Sequence, residues 1–145
     1  MSHVMNTYGR MPVSFVRGEG AWLWDESGKR YLDALAGIAV STLGHAHPKL
    51  VRAISEQVGS VIHTSNLYRI GKQEALADKL AAISGMENVF FCNSGCEANE
   101  AAIKLARLHG HQQGVEQPSI IVMEQAFHGR TLATLSATEI GRAHV

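Results

Sequence analysis

The sequence predicts an α/β protein, a parallel-type sheet with flanking helices preceded by a small β-hairpin segment, on three observations. Two short runs, Val89-Phe90-Phe91-Cys92 and Ile120-Ile121-Val122-Met123, are apolar throughout rather than alternating, as strands covered on both faces of a parallel sheet are. The first run feeds directly into Asn93-Ser94-Gly95-Cys96-Glu97-Ala98-Asn99-Glu100, which reads as a tight turn and a helix start. At Pro48 the apolar spacing changes, from alternation before it to helical intervals after it.

The elements follow in order. Trp22 and Trp24 alternate with Ala21 and Leu23, Glu26-Ser27-Gly28-Lys29 supplies a turn, and Arg30-Tyr31-Leu32-Asp33 returns, which makes a hairpin with one apolar face and packing tryptophans. His45 and His47, beside Gly44 and Pro48, read as a loop. Leu50, Val51, Ile54, Val58 and Ile62 then recur at helical spacing, with Pro48 suited to a first helical turn. Residues 72–83 form a further helix, with Leu76, Leu80 and Ile83 on one stripe. The helix after Ser94 offers Ala98, Ala101, Ala102, Leu105 and Ala106, a small-residue face expected to lie close on a sheet. Residues 110–118 are the most loop-like stretch, Thr64-Ser65-Asn66 is a second polar break, and no internal repeat is visible.

The turn at Ser94 is built to hold a phosphate. Ser94 and Glu97 have capping-box spacing, so the Ser94 hydroxyl accepts the Glu97 N–H while Glu97 reaches back. The N–H groups of Gly95 and Cys96 are left pointing outward at the positive end of the helix dipole, where a dianion is best accommodated. Gly95 also admits close approach to the backbone. Phe127-His128-Gly129-Arg130-Thr131 leaves the end of the second apolar run. Ligands of open parallel sheets sit at the carboxyl ends of the strands, so both turns are expected to face one site. The bland alternatives are a capped turn without a ligand, core packing for Phe127, and a salt bridge or surface position for Arg130.

A rival of another class is zinc. Cys92 and Cys96 are followed, after twelve intervening residues, by His109 and His111, but the histidines are one residue apart where ~3–5 is usual, and i, i+2 side chains diverge on a helix. No metal is expected. Lys+Arg and Asp+Glu are both 13, so a neutral chain without basic stripes has no electrostatic reason to seek nucleic acid. The longest uncharged run, 34–48, is broken by Gly, His and Pro and falls short of the ~20 apolar residues of a membrane span. Residues 1–15 lack the apolar core of a secretory signal, and two cysteines suggest no disulfide framework, which leaves a cytoplasmic location as the default.

Several blocks together resemble one family. They are Gly18-Glu19-Gly20-Ala21-Trp22-Leu23-Trp24-Asp25, Tyr31-Leu32-Asp33, Gly37-Ile38-Ala39-Val40, Leu43-Gly44-His45-Ala46-His47-Pro48, His63-Thr64-Ser65-Asn66-Leu67-Tyr68, residues 93–107, and residues 127–131. Their order and content are similar to the class III pyridoxal-phosphate-dependent aminotransferases, within them the acetylornithine aminotransferases. Cys96 departs from the pattern, which usually has threonine there, so a hydroxyl contact from that side chain is lost while the main-chain N–H remains.

The resemblance implies a fold type I transferase using pyridoxal 5'-phosphate. Ser94, Gly95 and Cys96 hold its phosphate, Phe127 lies against a face of its ring, Arg130 grips the substrate carboxylate, and His128 stands behind them near the ring. The reaction implied is transfer of the amino group of acetylornithine to 2-oxoglutarate in arginine biosynthesis. Ornithine, succinylornithine and 4-aminobutyrate aminotransferases share the same motifs, and a noncatalytic phosphate-binding or zinc-binding module is the reading from another class.

Such chemistry needs a Schiff-base lysine. Lys29, Lys49, Lys72, Lys79 and Lys104 fall at turns or on helices, so by resemblance that lysine, and the acid facing the pyridine nitrogen, lie beyond Val145. The 145 residues are therefore expected to be an N-terminal portion, inactive by itself. Residues 1–48 contribute to a small domain, 49–138 open the large cofactor-binding domain, and 139–145 form a tail outside the family pattern. The resemblance further implies a homodimer in which Asn66 or Tyr68 faces the partner's site.

Overall fold

The computed structural model describes residues 3–138, so the expectation for the tail 139–145 lies outside the described residues. The chain divides into two compact units, Met1–Tyr68 and Arg69–Val145.

The first unit is built on a three-stranded antiparallel sheet in the order β1-β2-β3: β1 (Phe15–Glu19), β2 (Trp22–Asp25) and β3 (Arg30–Leu32). The expected hairpin is β2–β3, with Leu23 opposite Tyr31 and Trp24 opposite Arg30. Its turn is organised by Asp25, whose carboxylate accepts from the Ser27 N–H (2.9 Å) and hydroxyl (2.6 Å), the Lys29 N–H (3.0 Å) and the Tyr31 hydroxyl (2.8 Å). β1 adds a strand that the sequence reading did not assign. Arg17 and Arg30 lie over the faces of Trp24 and Trp22, at 4.0 and 4.3 Å from the ring centroids, so the tryptophans stack against cations rather than enter a core.

Gly20 and His45 exchange both backbone hydrogen bonds, at 2.9 and 2.8 Å. The approach is so close that a Cβ on Gly44, at φ +76°, would stand 2.8 Å from the Gly20 carbonyl oxygen. His45 is thus part of a β-bridge rather than a free loop, and its Nε2 meets Asp33 Oδ2 at 2.7 Å. The same Asp33 accepts the N–H groups of Leu35 and Ala36 at the head of α1 (Ala36–Ala39), a single turn of left-handed φ. α2 (Pro48–Val58) has Pro48 in its first turn, as expected.

The second unit contains α3 (Gly71–Ser84), α4 (Gly95–Gln112) and α5 (Leu132–Ser136). α3 stops at Gly85, whose φ of +73° takes the chain out of the helix while its N–H returns to Ala81 O. The α4 face turned inward is Cys96, Asn99, Glu100, Ala101 and Ile103, whereas Ala98, Ala102, Leu105 and Ala106 are exposed. That corrects the small-residue face read from the sequence.

The expected parallel strands also differ. Among the described residues the antiparallel sheet is the sole sheet, and residues 89–92 and 120–123 join no ladder. Phe90 is 70% and Ile121 94% exposed. A parallel strand takes its hydrogen bonds from neighbours brought alongside by crossover connections, and here the two segments bond neither to each other nor to another strand.

Candidate functional site: the amino end of α4 and the 127–131 loop

Ser94 is extended, at φ −157° and ψ 160°, and caps α4 by accepting the Glu97 N–H at 3.2 Å. Glu97 reaches back one residue farther than a capping box requires: its Oε2 accepts from the Asn93 N–H at 2.8 Å and the Asn93 side-chain amide at 3.3 Å. The Ala98 N–H goes to Ser94 O. Among the described residues no acceptor takes the N–H groups of Gly95 and Cys96, so two donors stand at the positive end of an 18-residue helix. A Cβ at Gly95 would meet nothing within 4 Å, so the space over these amides is open. Ser94 accepts through its oxygen and keeps its own proton to donate.

The loop 127–131 closes over this tip, and α5 packs on α4 behind it. Asn99 on α4 donates from Nδ2 to His128 O at 2.7 Å. The Thr131 hydroxyl donates to the Glu100 carboxylate and lies 2.7 Å from the Thr134 hydroxyl. Gly129 passes so near α4 that a Cβ, at φ +137°, would sit 2.5 Å from Thr134 Oγ1 and 2.6 Å from Cys96 Sγ. Only glycine fits there.

Between the tip and the loop lies a cleft of ≈ 550 Å³ lined by Gly95, Cys96, Asn99, Phe127, His128, Gly129, Arg130 and Thr131, within the ~300–1,000 Å³ typical of small-molecule sites. Of the residues expected from the sequence, Gly95, Cys96, Phe127 and Arg130 line it together, and Ser94 caps the helix beside it. The Arg130 guanidinium stands 5.9 Å from the Phe127 ring centroid, so an aromatic face and a planar cation share one wall. His128 donates from Nδ1 to Ala137 O at 2.8 Å, which fixes its tautomer and turns the ring into a tie within the loop.

The Cys96 sulfur lies 3.4 Å from the Thr134 hydroxyl and 3.5 Å from the Thr131 hydroxyl and accepts from the Thr131 and Arg130 N–H groups, surroundings that bring its pKa down from 9.0 to about 7. Its side chain faces the threonines, while its N–H contributes to the open tip. The zinc grouping is not assembled: His109 lies 13 residues along α4 from Cys96, ~20 Å at ~1.5 Å per residue. Asn99, Glu100, Thr134 and Thr138 were not picked out in sequence. Thr131 and Thr134 carry a capping-type spacing that could have shown part of this network.

Whether these residues suit a pyridine phosphate can be judged from the donors. Two unpaired main-chain amides and a hydroxyl at a helix tip fit the dianion, Phe127 offers a ring face, and the open space at Gly95 leaves room for contact. The residues fit.

The family profile for class-III aminotransferases matches residues 4–144. An acetylornithine aminotransferase of Nitrosomonas europaea is 69% identical over 138 residues, covering 95% of this chain and 35% of that protein. The crystal structure of N-acetylornithine aminotransferase from Stenotrophomonas maltophilia superposes with a TM-score of 0.77 at 42% identity, over 84% of this chain and 34% of that one. An ornithine aminotransferase from Toxoplasma gondii, with partial occupancy of pyridoxal phosphate at its active site, gives 0.83 at 28% identity, over 94% and 32%. The chain spans about a third of the length of these relatives. With this match along nearly its whole length, the chain belongs to the class-III aminotransferases, the pyridoxal-phosphate-dependent transaminase family.

Proposed function

We propose that the chain is the part of an acetylornithine aminotransferase that seats the cofactor phosphate, one face of the cofactor ring and the substrate carboxylate, in an enzyme that moves the amino group of acetylornithine to 2-oxoglutarate. The observation that supports it is the convergence of the Gly95 and Cys96 amides, Phe127 and Arg130 on one cleft. Pyridoxal phosphate, when bound, supplies the electron sink for amino-group transfer. Gly95, Cys96 and the Ser94 hydroxyl hold its phosphate. Phe127 covers one ring face and keeps water from it. Arg130 donates two parallel hydrogen bonds to the α-carboxylate, fixing orientation as well as charge.

None of Lys29, Lys49, Lys72, Lys79 and Lys104 lines the cleft. The lysine that links the cofactor and the acid that faces its ring nitrogen are therefore assigned to the part of the relatives' length that this chain does not span. Residues 1–48 belong to a small domain and 49–138 open the large one. The exposed Asn66 and Tyr68 face the partner's site in a homodimer. Among the described residues no helix is long and apolar enough to cross a membrane.

The test is kinetic. At the full length of its relatives the holoenzyme is expected to form glutamate from 2-oxoglutarate with acetylornithine preferred over ornithine, succinylornithine and 4-aminobutyrate. Arg130→Lys, which loses the bidentate fork, should raise the amino-donor KM about tenfold with a smaller change in kcat. Preference for another donor, or an unchanged KM, overturns the assignment.

A further inference from the structure

We propose that Thr138, Thr134 and Asn99 are positioning residues that preset Phe127 and Arg130 over the tip of α4, a role that rests on the transaminase reading above. Among the described residues no apolar side chain is buried, yet Thr134 and Thr138 are 0% and 1% exposed. Two hydroxyls buried where no hydrophobic side chain is buried are not there for packing. Their value lies in the bonds they make.

Those bonds converge on the loop. The Thr138 hydroxyl accepts the His128 N–H at 2.8 Å and donates to Thr134 O at 2.7 Å, with Gly129 O at 3.2 Å as the other acceptor in reach. The Thr134 hydroxyl accepts the Thr131 N–H at 3.1 Å. From α4, Asn99 donates to His128 O at 2.7 Å, and the His128 ring is tied to Ala137 O. His128 is thus held at its amide, its carbonyl and its ring. Phe127 stands on one side of this fixed point and Gly129-Arg130 on the other, and Thr131 closes the far end. The exposed side chains that meet ligand are set by a backbone that the buried hydroxyls pin. The clamp is fully bonded before any ligand arrives, so binding need not spend affinity on ordering the loop.

Three readouts on the full-length holoenzyme test this. Thr138→Val should weaken pyridoxal phosphate retention and raise the amino-donor KM, each about tenfold, because the part-buried His128 N–H loses its acceptor. It should also speed hydrogen exchange at the His128 amide. Thr138→Ser keeps the hydroxyl and should restore all three. Asn99→Ala, which cuts the tie from the helix side, should raise the same KM with the thermal midpoint retained, so the proposal stays testable if Thr138→Val does not fold. Retention and KM within twofold of wild type in Thr138→Val, or a Thr138→Ser protein as impaired as the valine variant, would overturn the clamp. If wild type retained no pyridoxal phosphate, the transaminase reading would fall instead. The exchange rate at His128, which needs no cofactor, would then decide the clamp alone.

Discussion

Cys96 shows how one side chain can report on the site. Hydroxyl and main-chain donors, the Thr134 hydroxyl first, hold its pKa near 7 rather than 9.0. The same residue's N–H is one of the two that await an anion. A thiolate and a phosphate dianion therefore compete for one helix end. Because the folded-state pKa is lowered, the thiolate's contribution to stability is complete above about 9 and disappears as pH falls through about 7. Alkylation of Cys96 by iodoacetamide, followed by peptide mass spectrometry, should rise with a midpoint near pH 7. Saturating phosphate or pyridoxal phosphate should move that midpoint upward, and by linkage anion affinity should fall as pH rises through 7. A midpoint unmoved by the anion would place it away from Gly95 and Cys96. The cap itself was readable, because Ser94 and Glu97 have a local spacing. That Glu97 would land on Asn93, and that Cys96 would face threonines 35 and 38 residues on, depends on contacts no local pattern encodes.

At the scale of elements, the β2–β3 hairpin depends on one carboxylate. The Ser27 hydroxyl most, then the Tyr31 hydroxyl and the Lys29 and Ser27 N–H groups, bring the Asp25 pKa from 3.8 to about 2. The lowered value makes this turn's stabilisation complete above the ordinary carboxylate range and lost as pH falls from about 4 through about 2. Tryptophan fluorescence should show an acid transition in that window, because Trp22 and Trp24 lie in the hairpin under Arg30 and Arg17. Asp25→Asn should loosen the turn at neutral pH and remove the Asp25 share of the transition. An identical titration in both proteins would show that the turn does not depend on this charge. The hairpin, α2, α3 and α4 were legible because their signals are local: turn residues, Pro48 at a helix start, apolar periodicity, a Ser–Glu cap. β1 was missed because Phe15–Glu19 has no clear alternation and is defined by its partner strand. The apolar character of 89–92 and 120–123 is local and legible, whereas the pairing of such runs is set by neighbouring strands and not by the segment.

On the scale of the whole molecule, surface decides what this chain can do by itself. It exposes 12907 Å². Even two separate compact bodies of half its 15.7 kDa each would expose only roughly 8,800 Å² by the scaling of folded proteins. The excess includes Ile62 and Ile83 at 81%, Leu132 at 88% and Ile121 at 94% exposed. Residues 89–92 and 120–123 add backbone that joins no ladder. Apolar faces and open edges of this kind recruit whatever can cover them. The isolated chain should therefore bind the dye ANS strongly, self-associate with rising concentration, and melt without a cooperative transition. Extended to the length of its relatives, the same residues should lose most of that dye binding and unfold in one transition, because the apolar runs then gain neighbours. Differential scanning calorimetry and light scattering on the two proteins make the comparison. A monodisperse monomer of the 145-residue chain with a sharp calorimetric peak would mean that its faces are satisfied from within, and the site at the tip of α4 would then stand on a scaffold that needs no further chain.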